Sequence, residues 1–291
     1  MGDFGIRALT RGEGVRVVAV DTTESVAEAA RRHGSWPTAT AALGRLLTAA
    51  ALFGALMKDE TRITLRLMGD GPLGTLIADS RPEGRIRGYV QNPQVDLPLN
   101  QHGKLDVGGA VGKNGIFSVA RDYGRGTPYS GSSQLVSGEV GEDVAFYLAR
   151  SEQIPSVVSL GVLVERDGSV RSAGGILVQA MPGSTEETLD RIEQNSARLA
   201  DISRRLDRGV TLDQLVADAL EGLPYDVHEM FPVRFSCSCS KERVGAILGG
   251  FSKKELEEML SEREVIEVRC HFCNEIYRFT EEEVEELIRK I

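Results

Sequence analysis

The chain has 291 residues, 41% of them hydrophobic, and a formal net charge of −9. That length accommodates one large domain and a smaller one, and the composition excludes collagenous, repetitive and low-complexity architectures. Residues 1–181 are balanced in charge, so the acidic excess falls on 182–232 and 233–291. A nucleic-acid partner, which needs a basic face, is therefore not expected.

The opening "MGDFGIRALT" has no basic region followed by an apolar core, so it does not read as a secretory signal and a cytoplasmic location is expected. "VRVVAVD" (15–21) alternates as a strand does, and "ESVAEAARRHG" reads as a helix closed by Gly34. A second helix is predicted from Pro37, a residue favourable in a first turn, through Met57. It holds the one membrane-like run, Leu46 to Met57, which at twelve residues is short of the ~20 needed to span a bilayer. A buried helix of small residues is expected there, and no membrane partner. Trp36, just before it, is expected to pack in the core.

Strand-like runs follow at "RITLRLMG", "GTLIADS", "RIRGYVQ", "GIFSVAR", "YSGSSQLVS" and "SVVSLGVLVERDG", with a helix at "EDVAFYLARSEQI". Clustered strands with interspersed helices, rather than strict alternation, predict an α+β core domain over 1–181. Two glycine-rich stretches imitate phosphate loops. "GDGPLG" (69–74) fits GxGxxG but precedes a strand where a dinucleotide site needs a helix, and "VGGAVGKNG" has Val107 and Asn114 at two defining P-loop positions. Both are read as turns. His33, His102 and His228 are scattered, no catalytic set emerges, and the chain is not read as an enzyme.

From Met181 the texture changes. "STEETLDRIEQNSARLADISRRLDRG" offers Ser184 or Thr185 as N-cap, Glu186 and Glu187 in the first turn, and a thin apolar stripe of Leu189, Ile192, Leu199, Ile202 and Leu206, ending at Gly209. "TLDQLVADALEGLPY" is a shorter amphipathic segment. Residues 182–232 are expected to be a helical linker with little burial of its own.

All four cysteines lie in the last 55 residues, as CxC (Cys237, Cys239) and CxxC (Cys270, Cys273). In a reducing compartment such pairs favour metal or redox chemistry over structural disulfides. Four thiolates suit one tetrahedral Zn²⁺, each pair supplying two ligands, and the interval has room for helices at "KERVGAILGG" and "SKKELEEMLSE". "EVIEVRCHFCNEIYRF" suggests a strand breaking into a turn at the CxxC. His271, inside that pair, could replace a sulfur, although four thiolates already complete the site. A domain over 233–291 has only 59 residues, so metal binding would supply much of its folding free energy. Two readings stay open: a plain structural zinc site, or a switch in which oxidation turns four ligands into local disulfides and expels the metal.

With these segments in view, the chain resembles the redox-regulated 33 kDa heat-shock proteins of bacteria, the 33 kDa chaperonin family. The resemblance covers essentially the whole length and rests on "FSCSCSKERV", "VRCHFCNEIYRF", "GDGPLG", "YSGSSQLVSGEVGEDVAFYLARSEQIPS", "GGILVQAMPG" and "LGGFSKKELEEML". It implies an ATP-independent holdase carrying one Zn²⁺ per chain and inactive while reduced. It further implies that oxidation pairs Cys237 with Cys239 and Cys270 with Cys273 and releases zinc. The zinc domain and linker then unfold, and active homodimers hold unfolding client proteins until reducing conditions and foldase chaperones return. The competing readings are a zinc-knuckle binding module with purely structural zinc, and a thiol oxidoreductase using CHFC. The acidic tail speaks against phosphate binding in the first, and the second expects a βαβ context that the surrounding sequence does not supply.

Overall fold

A computed structural model describes residues 2–57, 61–262 and 265–289, which fall into two compact units, Met1–Ser236 and Cys237–Ile291. The first unit begins with β1 (Phe4–Thr10), β2 (Val15–Asp21), α1 (Thr23–His33) and α2 (Pro37–Ala55). It continues with β3 (Arg62–Met68), β4 (Thr75–Arg81), β5 (Arg85–Val90), a short α3 (Val107–Val111), β6 (Ile116–Asp122), β7 (Tyr129–Gln134) and α4 (Val140–Arg150). Then come β8 (Ser156–Val164), β9 (Val170–Ala180), α5 (Glu186–Ser196), a 3-10 turn (Ala197–Leu199), α6 (Ile202–Asp207), α7 (Leu212–Ala219), β10 (Tyr225–Pro232) and β11 (Arg234–Phe235).

The strands form two sheets, ordered β10-β1-β2-β9-β8 and β11-β5-β4-β3-β6-β7, antiparallel throughout except for the β11–β5 edge. The expected α+β architecture is therefore present. Helix α2 packs against strands of both sheets, Leu43, Leu46, Leu47, Leu52 and Phe53 meeting Ile63, Leu65 and Leu67 of β3 and Val18 and Val20 of β2. Its small residues allow this approach: a Cβ on Gly54 would lie 2.0 Å from Ser80 Oγ. At 19 residues α2 is long and apolar enough to cross a membrane, but 89% of its apolar stretch is buried inside the protein.

Side chains alternate along a strand, so β2 presents Val18 and Val20 to α2 and Val15, Val17 and Ala19 to the opposite side. That opposite face, with Ile6, Ala8, Ile176 and Val178, is covered by Ile192, Leu199, Ile202, Leu212, Leu215 and Val216 of the segment after Met181. Ile192, Leu199 and Ile202 of the stripe predicted from spacing thus lie on the docked face and Leu206 packs half-buried against it, while Leu189 is half-buried outside this cluster. It is not one continuous helix. The chain breaks at Ala200 and at Asp201, which adopts φ 50°, and restarts as α6. Thr185 rather than Ser184 caps α5, accepting from the Thr188 amide, and Gly209 follows α6 at φ 84°.

Three further differences from the expected elements have identifiable causes. Trp36 is the N-cap of α2 and 52% exposed, because its backbone is tied outward by donating to the Pro93 carbonyl at 2.9 Å. "VGGAV" is a one-turn helix, capped by Asp106, whose side chain accepts from the Gly109 amide. Residues 225–232 are a strand, β10, pairing with β1 across the length of the unit.

In the second unit α8 (Lys241–Leu248) and α9 (Lys253–Glu262) precede a hairpin of β12 (Val265–Arg269) and β13 (Ile276–Thr280), followed by α10 (Glu281–Ile288). Ser240 caps α8, and Thr280 with Glu283 forms a capping box on α10. The core is small: Val244, Leu248, Leu256, Ile266, Phe279 and Val284.

Candidate metal centre

Both cysteine pairs sit on backbone that short-range chemistry fixes. Cys237 and Cys239 occupy the extended segment before α8, where Arg243 reaches back from the first turn and donates from Nη1 to the Ser238 carbonyl at 3.0 Å. Cys270 and Cys273 lie on the turn joining β12 to β13. The Cys270 amide donates to the Glu275 carbonyl at 2.9 Å and the Asn274 amide to the Cys270 carbonyl at 2.7 Å. Asn274 closes the turn at φ 59°, a left-handed conformation that asparagine tolerates better than most residues.

The four sulfurs all lie within 4.8 Å of one another. Cys237 Sγ is 3.8 Å from Cys270 Sγ, and Cys239 Sγ is 3.2 Å from Cys273 Sγ. A tetrahedron of sulfurs at ~2.3 Å from a central Zn²⁺ has edges of about 3.8 Å. The cluster therefore fits a tetrahedral thiophilic ion with little adjustment. His271, by contrast, points away from this role: it is exposed and lies outside the cluster.

Burial pushes the Cys239 and Cys273 thiols up, Cys273 strongly. Without a cation the site therefore disfavours thiolates; a bound divalent cation reverses that preference by neutralising them. The Tyr277 hydroxyl, on β13, donates to Cys239 Sγ at 3.0 Å, and that bond raises the phenol as well. Spacing does not single out Tyr277, because its role depends on the hairpin placing it beside a sulfur from before α8. Chemically the cluster can do two things. It can hold one metal ion, and it brings together thiols able to lose electrons to an oxidant.

The two phosphate-loop imitations have a structural explanation. The Gly71 amide donates to the Val111 carbonyl at 2.9 Å and the Leu73 amide to that of Ala110 at 3.1 Å. A Cβ on Gly69 would sit 2.0 Å from the Val111 oxygen. These glycines let "GDGPLG" and "VGGAV" pack backbone on backbone. His33 is likewise structural, its Nε2 lying 3.0 Å from the Gly88 carbonyl.

The family described as Hsp33 protein matches residues 3–280. The chain belongs to the Hsp33 family. It is 46% identical over 287 residues to the 33 kDa chaperonin of Geobacillus kaustophilus, covering 99% of this chain and 98% of that one. It is 45% identical over 285 residues to the 33 kDa chaperonin of Bacillus subtilis, covering 98% of each. The crystal structure of the 33 kDa chaperonin of Thermotoga maritima superposes with a TM-score of 0.93 at 40% identity, covering 100% of this chain and 99% of that one. These relatives are named as chaperonins, not as enzymes, which agrees with the family resemblance of the cysteine motifs.

Proposed function

We propose that this Hsp33-family protein is a redox-switched, ATP-independent holdase, with Cys237, Cys239, Cys270 and Cys273 as both zinc ligands and redox centre. The observation that carries this is the gathering of all four sulfurs within 4.8 Å on two short-range pairs. Bound Zn²⁺ would supply the charge that keeps the four sulfurs as thiolates and cross-links the two pairs. The small core of the second unit supports a metal-dependent fold. Six buried apolar side chains contribute about 1.5–3 kcal/mol each, against about 1–2 kcal/mol of backbone entropy per ordered residue.

In the proposed switch one peroxide accepts two electrons from Cys237 and Cys239 and a second from Cys270 and Cys273. Each peroxide takes up two protons from solvent and leaves as two waters, and each thiolate pair becomes a disulfide. The ligands are then gone, the second unit loses its cross-link and unfolds, and the helices α5–α7 of the 182–232 linker follow it off the 1–181 core. The docked stripe of Ile192, Leu199 and Ile202 on the β1-β2-β9 face is what this release would uncover. Exposed apolar surface of that kind suits clients of unrelated sequence. The active form is a cytoplasmic homodimer that holds unfolding proteins and yields them to foldases on reduction.

The test is light scattering from a thermally unfolding client, with the protein either reduced and zinc-loaded or treated with peroxide at elevated temperature, while a chromophoric chelator follows the metal. Suppression confined to the oxidised sample and in step with zinc release is expected. Zinc release with no gain in suppression would leave the cysteines a structural staple, and the function that of a zinc-knuckle binding module.

A further inference from the structure

We infer that the edge of β8 is a strand-addition site for an extended segment of client polypeptide; this rests on the holdase reading and gives it a location. Strand β8 ends its sheet and, among the described residues, pairs only with β9. The Ala180 amide donates to the Pro155 carbonyl, which fixes the alternation of the antiparallel ladder. With partners running Val157↔Val178, Ser159↔Ile176 and Gly161↔Gly174, the backbone groups of Val158, Leu160 and Val162 face away from β9. Among the described residues nothing pairs with those three N–H and three C=O groups.

They open onto a groove of about 940 Å³. Leu97, Leu99 and Leu105 line it together with charged side chains that include Arg45, Glu139 and Glu142, and Leu99 is 60% exposed. Outward groups that recur every second residue, about 6.8 Å apart, match the backbone of another extended chain and no compact small molecule. The composition of the strand agrees. Edge strands are ordinarily protected by charge or proline, whereas "SVVSLGVLV" contains neither over nine residues. Main-chain pairing is indifferent to sequence and the lining offers both leucines and charged groups, so the occupant that fits is an extended segment of an unfolding chain of mixed composition. Asp201 to Arg204, at the start of α6, border the same groove, so displacement of α6 would widen it.

The experiment uses the full-length protein, reduced and peroxide-treated, and a dye-labelled heptapeptide alternating valine and threonine, read by fluorescence anisotropy. A second peptide carries N-methyl groups on alternate amides, which removes donors from one edge. Binding of the plain peptide is expected to exceed that of the methylated one by about tenfold or more, and to be tighter after oxidation. Leu160→Pro deletes an outward N–H and no ladder bond, and Leu99→Asp alters the groove lining at an exposed position; each is expected to weaken binding about tenfold with the helix signal unchanged. Equal binding of the two peptides overturns the proposal, and so does parent-like binding by folded Leu99→Asp, which decides the matter should Leu160→Pro fail to fold. Aggregation suppression is followed in the same samples. Its absence from oxidised parent protein would overturn the holdase reading, while the peptide contrast judges the groove on its own.

Discussion

Tyr277 shows how one hydroxyl can tune a cluster to which it contributes no ligand. Its O–H donates to Cys239 Sγ at 3.0 Å, and a donor of that kind both orients a thiolate and draws electron density from it. Tyr277→Phe should therefore weaken zinc binding by about 10–100-fold, the usual cost of losing an outer partner, and speed oxidation of the pair. Competition with a chromophoric chelator measures the first effect, and an unchanged affinity would show the hydroxyl to be a bystander. Cys273 is the most enclosed of the four cysteines, at 2% exposure. Cys273→Ser should abolish stoichiometric zinc and the ordered fold of residues 237–291 together. Retention of one zinc per chain in this variant, by atomic absorption, would mean that the site needs fewer than four sulfurs.

At the scale of elements, the segment α5–α7 is held by its buried apolar face and by polar contacts along its margin. Ser159 Oγ donates to the Leu199 carbonyl at 2.6 Å and Ser172 Oγ to the Ser203 carbonyl at 2.7 Å, while Lys104 pairs with Asp201 at 2.6 Å. That ion pair is exposed and contributes about 0–1 kcal/mol. The fit is tight at Gly161 on β8, where an added Cβ would meet the Ser203 amide nitrogen at 2.6 Å. Gly161→Val should push α6 off the sheet without touching a cysteine. Ile202→Asp, placing a carboxylate where the side chain is 1% exposed, should do the same by desolvation. Both variants are expected to suppress client aggregation while reduced and zinc-bound. Light scattering that matches the parent, from variants whose α6 amides keep their hydrogen-exchange protection, would show that docking of this segment does not control activity.

For the whole molecule, the two units draw stability from different sources. The first has a large core in which α2 meets two sheets, while the second depends on the metal if the proposed ligation holds. Removing zinc by chelation should erase hydrogen-exchange protection over residues 237–291 and lower it in α5–α7, with α2, β3 and β4 unchanged. Such a pattern reflects stability distributed by unit rather than shared globally. Protection lost in α2 as well would mean that the chain unfolds as one cooperative body, and the switch would need a different physical basis.

Local chemistry carried much of this through the sequence alone. The β2 alternation, Pro37 opening α2, Gly34 closing α1 and the CxC and CxxC pairs depend on neighbours within a few residues, and each took the form those neighbours dictate. The sequence could also mark Ile192, Leu199 and Ile202 as a stripe, because spacing reports which residues share a side. What covers that stripe was decided only in three dimensions, since β1, β2 and β9 come from both ends of the unit. The same holds for β10, whose exposed, weakly alternating residues become a strand by pairing with β1 some two hundred positions away. Trp36 faces solvent because Pro93 binds its backbone, the "GDGPLG" turn is shaped by "VGGAV", and Tyr277 reaches Cys239 through a hairpin. In each case the deciding partner is distant in sequence, and only tertiary packing brings it within reach of a hydrogen bond or a van der Waals contact.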